Sequence, residues 1–320
     1  MSSYGVRLVS SGSALPERVI TNAELAQWVD TSDEWITTRT GINQRHIIGA
    51  QDSTTSLAVQ AGQQALAKAG LAPTDLDLIL VATSTTDDLF GTAPKVQRDL
   101  GAQQAVGFDL SAACSGFVFG LVTASQFIRT GLYRHILLIG ADTLSRWVDW
   151  DDRRTCILFG DGAGAVLLTA TSPQQDALLS CELRSDGTGN HLLNLLYNPE
   201  KHTFDPVFMN GKEVYRFAVT VVPEVVEKAI HKANLTTADI DWLVLHQANQ
   251  RIIDAVVERL GLPPHKAVSN MGRCANTSAA SIPIAIDEWI NKGAIQEGHI
   301  LALAGFGAGL SWGAVVVRWG

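Results

Sequence analysis

The sequence predicts an α/β protein made of two copies of one unit, each built on a mostly parallel buried sheet. Three observations carry this expectation. Continuous apolar runs such as Leu76–Thr83 and His135–Gly140 read as strands covered on both faces. Segments with helical spacing, Ser53–Ala69 and Phe117–Ile128 among them, alternate with those runs. The third is a repeat at an offset of 164 positions, where LAPTDLDLILV from Leu71 matches LTTADIDWLVL from Leu235. In the same register Gly70 meets Asn234, two residue types that close helices in the left-handed conformation, and His135-Ile-Leu meets His299-Ile-Leu. Three matches in one register are not expected by chance. The first half is residues 1–171 and the second 172–320, with Ser172–His202 as the junction and surface excursion.

With 320 residues, 46% of them hydrophobic, the chain can bury a large core. A net charge of −8 and the absence of Lys/Arg runs argue against general nucleic-acid binding. No apolar run reaches the roughly 18 residues that span a membrane, and the N-terminus lacks the pattern of a signal peptide. Cys114, Cys156, Cys181 and Cys274 are widely spaced with no CxxC pair, so neither a zinc site nor a disulfide framework is expected. The chain reads as cytoplasmic.

Taken in order, Val6–Ser10 is a strand leading into the loop Gly12–Pro16. Asn22 is the expected cap of a helix over Ala23–Val29, and Thr31 or Ser32 of a short helix that carries Trp35 and Arg39 toward Gly41. Ser53–Ala69, closed by Gly70, precedes the strand Leu76–Thr83. Val106–Leu110 is a strand that turns, through the small residues of FDLSAACSGF, into the helix Phe117–Ile128. Cys114 sits at that join, where free N–H groups and the positive end of the helix dipole favour a thiolate. Taken alone, it reads first as core packing, and only the groups further along the chain overturn that. FGDGAG (Phe159–Gly164) lacks the GxGxxG spacing and precedes a strand, Ala165–Ala170, so it reads as close backbone packing. Asp186-Gly187 signals a hairpin turn, and Gly211–Lys232 a long helix broken or restarted at Pro223.

The repeat also locates the chemistry, because reactive groups in open α/β sheets gather at the C-terminal ends of strands. The first copy ends its strand in Ala82-Thr83, whereas Trp242–Leu245 ends in His246-Gln247-Ala248-Asn249. Asn276 falls roughly in the turn that holds Cys114 in the first copy. His246 also reads as a structural histidine and Asn276 as a helix cap. Gly305–Gly309 is a flexible turn before a last strand, Ala314–Val317, and its free N–H groups suit an anion.

SAACSGF, HQANQRI, ANTSAASIP and GFGAGLSWG, in that order after LPERVITNAEL and VDTSDEWITTRTGINQRHI, resemble β-ketoacyl-acyl carrier protein synthase III over essentially the whole chain. The resemblance implies the thiolase-like duplicated α/β/α/β/α fold and a homodimer. It implies that Cys114 attacks an acyl-CoA thioester, with an oxyanion hole from the N–H groups of Cys114 and Ala308. His246 and Asn276 would donate hydrogen bonds to the thioester oxygen of malonyl-acyl carrier protein as CO2 leaves, with no metal or redox cofactor. Trp35 and Arg153 match positions that flank the adenine of CoA, and Arg39 and Asn249 join the CoA set. Arg216, Arg251 and Arg259 match the basic side that meets the acidic carrier protein. Phe90 resembles a bulky residue that crosses the dimer interface and favours short primers such as acetyl; plain interface packing is the other reading. Glu258-Arg259 replaces a doubly basic pair, and Trp150 and Arg154 also depart from the family pattern near CoA. The other readings are a related synthase with a different primer, a cysteine hydrolase and a non-catalytic acyl-binding protein.

Overall fold

In the computed structural model, which describes residues 4–320, the apolar runs of the first half form one five-stranded sheet. Its strands are β1 (Gly5–Ala14), β2 (Leu78–Ala82), β3 (Val106–Leu110), β4 (His135–Thr143) and β5 (Asp161–Thr171), in the spatial order β1-β5-β4-β2-β3. The second half supplies β6 (Leu178–Ser185), β7 (Trp242–Leu245), β8 (Ile300–Gly307) and β9 (Ser311–Arg318), in the order β7-β8-β9-β6. Only β2 with its two neighbours and β7 with β8 pair in parallel. The other pairs are antiparallel. The sheets are thus mixed, with less parallel pairing than the apolar runs suggest. β8 and β9 show why: the turn between them is too short for anything but an antiparallel return.

The principal helices are α1 (Asp33–Thr40), α2 (Thr54–Ala69), α3 (Gly116–Arg129), α4 (Gly211–Lys232), α5 (Gln250–Leu260) and α6 (Ser281–Asn291). α3 and α6 lie between the sheets, where Val118, Leu121 and Ile286 pack with Leu138 and Leu303. α2 covers the outer face of the first sheet, and α4 and α5 that of the second. The result is the five-layered α/β/α/β/α arrangement. β4 explains the uninterrupted apolar runs: Ile136 and Leu138 face the central layer while Leu137 and Ile139 face α2, so both faces of the pleat are buried. Among the described residues no helix is long and apolar enough to cross a membrane.

The repeated letters hold matching joints. Single 3-10 turns at Pro73–Asp75 and Thr237–Asp239 are closed by Asp75 on the Ala72 N–H (2.9 Å) and Asp239 on the Thr236 N–H (2.8 Å). Asp77 accepts from the His135 N–H at 2.8 Å and Asp241 from the Ile300 N–H at 2.8 Å, pinning the start of the neighbouring parallel strand. Gly70 and Asn234 both take the left-handed conformation, at φ 67° and 57°.

Several local expectations change. Thr21, not Asn22, caps the first short helix, which spans only Asn22–Leu25, because the Asn22 amide is buried and donates to the Ile42 carbonyl (2.7 Å) and Asp33 (2.8 Å). Asp186 caps a 3-10 segment, Gly187–Leu192, in place of a hairpin turn. α4 runs unbroken through Pro223. Proline has no N–H for the Val219 carbonyl, and Arg259 of α5 supplies the missing donor at 3.2 Å, with a second bond to the Thr220 carbonyl at 3.3 Å. The FGDGAG glycines lie at the head of β5, where a Cβ on Gly164 would stand 2.6 Å from the Ile284 nitrogen, so they do serve close packing. Gly305 and Gly307 belong to β8, which leaves a turn much tighter than Gly305–Gly309.

Candidate active site

Two turns of similar backbone face each other between the sheets. After β3, Ala113 (φ 47°) opens the 3-10 turn Ala113–Ser115, which leads into α3. After Asn276, Ser278 (φ 51°) opens the turn Ser278–Ala280, which leads into α6. The first turn presents Cys114, the second is preceded by Asn276, and His246 follows directly on β7. All three line one cavity of about 580 Å³, together with Phe306, Gly307 and Ala308.

Cys114 is 9% exposed and its sulfur accepts a hydrogen bond from Ser278 Oγ at 3.3 Å. Gly307 lets β8 reach the thiol, since a Cβ there would stand 2.8 Å from Cys114 Cβ and 3.3 Å from its Sγ. Ser115 Oγ and Ser311 Oγ are 2.6 Å apart, one donating to the other, and both lie within hydrogen-bond distance of the Ala112 carbonyl, tying the cysteine turn to the β8–β9 turn. Neither the Cys114 N–H nor the Ala308 N–H is engaged with an acceptor among the described residues, and Ala308 lines the cavity beside the thiol. His246 is 2% exposed, with Nδ1 2.7 Å from Ser281 Oγ and its ring edge-on to Phe306 at 5.1 Å. Asn276 Oδ1 accepts the Ser278 N–H at 2.9 Å, which leaves the amide NH2 as its donor toward the cavity.

Burial sets the electrostatics. It pushes the Cys114 thiol up to about 12, against the expectation of a helix-lowered value, and the nearby buried Asp142 adds to the rise. The bond from Ser278 only partly offsets this. Burial also brings His246 down to about 3, so its imidazole is neutral at physiological pH. Asp142 is itself raised by burial; its carboxyl accepts from the Ser84 N–H (2.8 Å), Thr85 Oγ1 (2.8 Å) and the Ala279 N–H (3.2 Å). Among the described residues no three His, Cys, Asp or Glu side chains are grouped to hold a metal ion.

The solvent end of the cavity is cationic and aromatic. Trp35 has two guanidinium groups against its ring, Arg39 at 5.7 Å and Arg153 at 5.5 Å from its centre. Asn249 caps α5 through the Arg251 N–H (2.9 Å) and donates to the Arg39 carbonyl (3.1 Å), which couples α1 to α5. Arg251 sits over Tyr215 at 5.3 Å. These residues all line the cavity. Three expected residues do not. Arg216 is paired with Glu213 at 3.0 Å, and Arg259 is engaged by Glu224 and the α4 carbonyls. Phe90 is 98% exposed and stands outside this chain's cavity, while its neighbour Leu89 lines it; a residue at a loop tip after β2 points away from its own core.

Comparison with known proteins gives this arrangement a family. Models of 3-oxoacyl-[acyl-carrier-protein] synthase III match residues 108–187, and models of its C-terminal part match residues 230–319. A β-ketoacyl-[acyl-carrier-protein] synthase III of Nostoc sp. is 59% identical over 100% of both chains. The chain belongs to the β-ketoacyl-acyl carrier protein synthase III family. It is therefore an acyltransferase of the condensing class that initiates fatty acid synthesis. Solved synthase III structures from Aquifex aeolicus (TM-score 0.94, 42% identity, covering 98% of this chain and 100% of that one) and Pseudomonas aeruginosa (TM-score 0.93, 43% identity, 98% of each) share its fold. Beside the residues read from the synthase's sequence, the site contains Ser278, Ser281, Asp142 and Phe306. The two serines lie within ANTSAASIP, two and five positions after Asn276, and Asp142 is the one carboxylate ending an otherwise apolar strand. Those were the available signals.

Proposed function

We propose that Cys114 is the nucleophile of this synthase and that His246 and Asn276 stabilise the enolate. The Cys114 sulfur attacks the thioester carbonyl of a short acyl-CoA such as acetyl-CoA, and the N–H groups of Cys114 and Ala308 hold the oxyanion. The C–S bond to CoA breaks, and the thiol proton ends on CoA. Malonyl-acyl carrier protein then loses CO2, and its electron pair forms an enolate whose oxygen accepts bonds from His246 and Asn276. Two neutral donors stabilise that charge without protonating the carbon. The carbanion attacks the acyl-cysteine, a C–C bond forms, and Cys114 leaves as thiolate and regains a proton. Every step moves electron pairs among carbon, oxygen and sulfur, so neither metal nor redox cofactor is needed. The observation that carries the reading is one cavity lined by a thiol, two neutral donors and two unengaged N–H groups.

CoA enters at Trp35, Arg39, Arg153 and Asn249. Arg153 rests on Trp35 at 5.5 Å, so it must lift away to admit an adenine ring between them. Arg251, with Arg216, offers positive charge to malonyl-acyl carrier protein; Arg259 acts inside the chain instead. The edge strand β3 exposes Val106 and Phe108 near Leu89 and Phe90, apolar groups suited to a second copy in a homodimer, where Phe90 would shorten the partner's acyl pocket. In this reading residues 1–171 supply the nucleophile and 172–320 the donors, in an enzyme of the reducing cytoplasm where free thiols persist.

The test is intact-protein mass after incubation with acetyl-CoA, beside Cys114→Ala, followed by malonyl-acyl carrier protein. An acetyl adduct on the unaltered enzyme alone, discharged into acetoacetyl-acyl carrier protein, is the expected result. An adduct only with longer acyl-CoAs corrects the primer, and no adduct with any acyl-CoA overturns the nucleophile.

A further inference from the structure

The geometry points to the Ser115–Ser311 hydroxyl pair as the link that holds the two N–H groups of the oxyanion hole in register. This inference rests on the reading of the Cys114 and Ala308 N–H groups as that hole. Those groups come from different halves of the chain, Cys114 from the turn after β3 and Ala308 from the turn between β8 and β9. One oxygen accepts from both only if each N–H stands about 2.7–3.1 Å from it, so the separation of the two turns decides the bond. Within the second half, the β8–β9 turn is held by Asp186, whose N–H and carbonyl pair with Leu310 at 2.8 Å each. Across the halves, the hydrogen bonds between the two turns all involve Ser311 among the described residues.

Ser115 directly follows Cys114, and Ser311 lies three residues after Ala308. Their oxygens are 2.6 Å apart, and Ser311 Oγ also lies 2.9 Å from the Ala308 carbonyl and 3.2 Å from that of Ala112. Ser115 Oγ is 2.7 Å from the same Ala112 carbonyl, which the Ser115 N–H also reaches at 3.1 Å. Two hydroxyl hydrogens serve these contacts. One lies between the serines, and the other goes to a carbonyl, of Ala112 or of Ala308. In both arrangements the bond between the serines is made. Both side chains are buried, and Ser311 Oγ is the one donor within reach of the Ala308 carbonyl among the described residues. Close packing of Gly307 on Cys114 keeps the turns from coming nearer, and the serine bond keeps them from parting. Ser115 and Ser311 are positioning residues, since they reach the substrate only through the backbone of their neighbours.

The test uses full-length enzyme and reads acetyl transfer, malonyl decarboxylation and the carbonyl band of the acetyl-enzyme. In Ser311→Ala and in Ser115→Ala, acetylation of Cys114 at saturating acetyl-CoA should fall about tenfold to 10²-fold, the scale of a misplacement within 1 Å. Release of CO2 from malonyl-acyl carrier protein without acetyl-CoA should change by less than about twofold, because His246 and Asn276 serve that step. The double variant should be no worse than either single one, since the two hydroxyls make one link. With a 13C-labelled acetyl group on Cys114, the infrared carbonyl band of the unaltered enzyme should lie below that of equally labelled acetyl-CoA in water. Both variants should raise it. Should Ser311→Ala fail to fold, Ser115→Ala breaks the same bond from the other side. An unchanged low band with normal acetylation in the variants overturns the role of the serines alone. A band in the unaltered enzyme no lower than that of acetyl-CoA overturns the oxyanion hole itself. Equal loss of acetylation and decarboxylation, or additive losses in the double variant, also overturns the inference, since either marks a merely structural role.

Discussion

The turn at Cys114 and the turn at Ser278 follow nearly the same path: a left-handed residue, one 3-10 turn, then a helix between the sheets. One displays a thiol and the other is preceded by a carboxamide. The same divergence recurs at the strand ends, where β2 stops in Ala82-Thr83 and β7 in His246-Gln247. The joints outside the site, by contrast, keep the same residues at Asp75 and Asp239 or Asp77 and Asp241. Duplication thus supplies two equivalent platforms facing each other, and only the groups at their tips differ. The platforms also clasp each other. Ser278 donates to Cys114, and Asp142 of the first half accepts the Ala279 N–H of the second.

If the halves divide the chemistry in this way, the largest effect comes from removing the second half's donors. Asn276→Ala and His246→Ala should each reduce release of CO2 from malonyl-acyl carrier protein by about 10²–10³-fold, the scale of losing one oxyanion donor. Cys114 should still take up acetyl in both, seen as an adduct by intact mass. Loss of acetylation in parallel with decarboxylation would break the division of labour.

Next in size is Gly307→Ala, which tests how closely the second half must approach the first. The new methyl would meet Cys114 Cβ at 2.8 Å, on a turn fixed by Ser115 and Ser311. Overpacking of this kind costs about 1–3 kcal/mol of stability. Acetylation and condensation should both fall, because the nucleophile itself is displaced, and a variant with normal acetylation would show that the β8 approach is slack.

The acid–base contrast between the two tips can be read by pH. The Cys114 thiol is raised from 9.0 to about 12, so its alkylation by iodoacetamide should climb about tenfold per pH unit through pH 10 with no plateau. A plateau near neutrality would mean that the helix dipole outweighs burial. The linkage has a definite sign. Because the unfolded thiol loses its proton near 9.0 and the folded one near 12, the protonated thiol's contribution to stability is present below 9.0 and is lost as pH rises toward 12. His246 works at the other extreme: its folded value is lowered from 6.5 to about 3, so its contribution is present above 6.5 and lost as pH falls toward 3.

The frame was legible because its joints are local. Asp75, Asp77, Gly70 and their counterparts act within a few positions or on the adjacent strand, and that leaves a repeat in the letters. Cys114 and His246 were legible because a strand end is a recognisable place for a reactive group, and Asn276 because the repeat sets it near the turn that corresponds to that of Cys114. What stayed hidden depends on contact between distant segments. The sign of the Cys114 shift follows from burial by β8 and the Asn276 turn, which no helix-terminus argument contains. Asn22 looks like a cap until its amide is claimed by Ile42 and Asp33. Arg259 looks like a free surface cation until α5 lies along α4.

The smallest expected effect concerns that last pair. Val59 of α2 stands at the place in the repeat that Pro223 holds in α4, so α2 keeps its own hydrogen bonds and needs no strut. α4 borrows one from Arg259, with the Val219 carbonyl at 3.2 Å and Glu224 at 3.3 Å. Because this guanidinium is about half exposed, its removal in Arg259→Ala should cost only about 1 kcal/mol, seen as a lowered denaturant midpoint. The KM for malonyl-acyl carrier protein should move by less than about twofold, since Arg259 lies outside the cavity. Arg251→Ala should do the reverse, raising that KM while leaving the midpoint in place, because Arg251 lines the cavity over Tyr215. A large KM effect from Arg259 without loss of stability would return it to the docking surface and leave the continuity of α4 through Pro223 to other contacts.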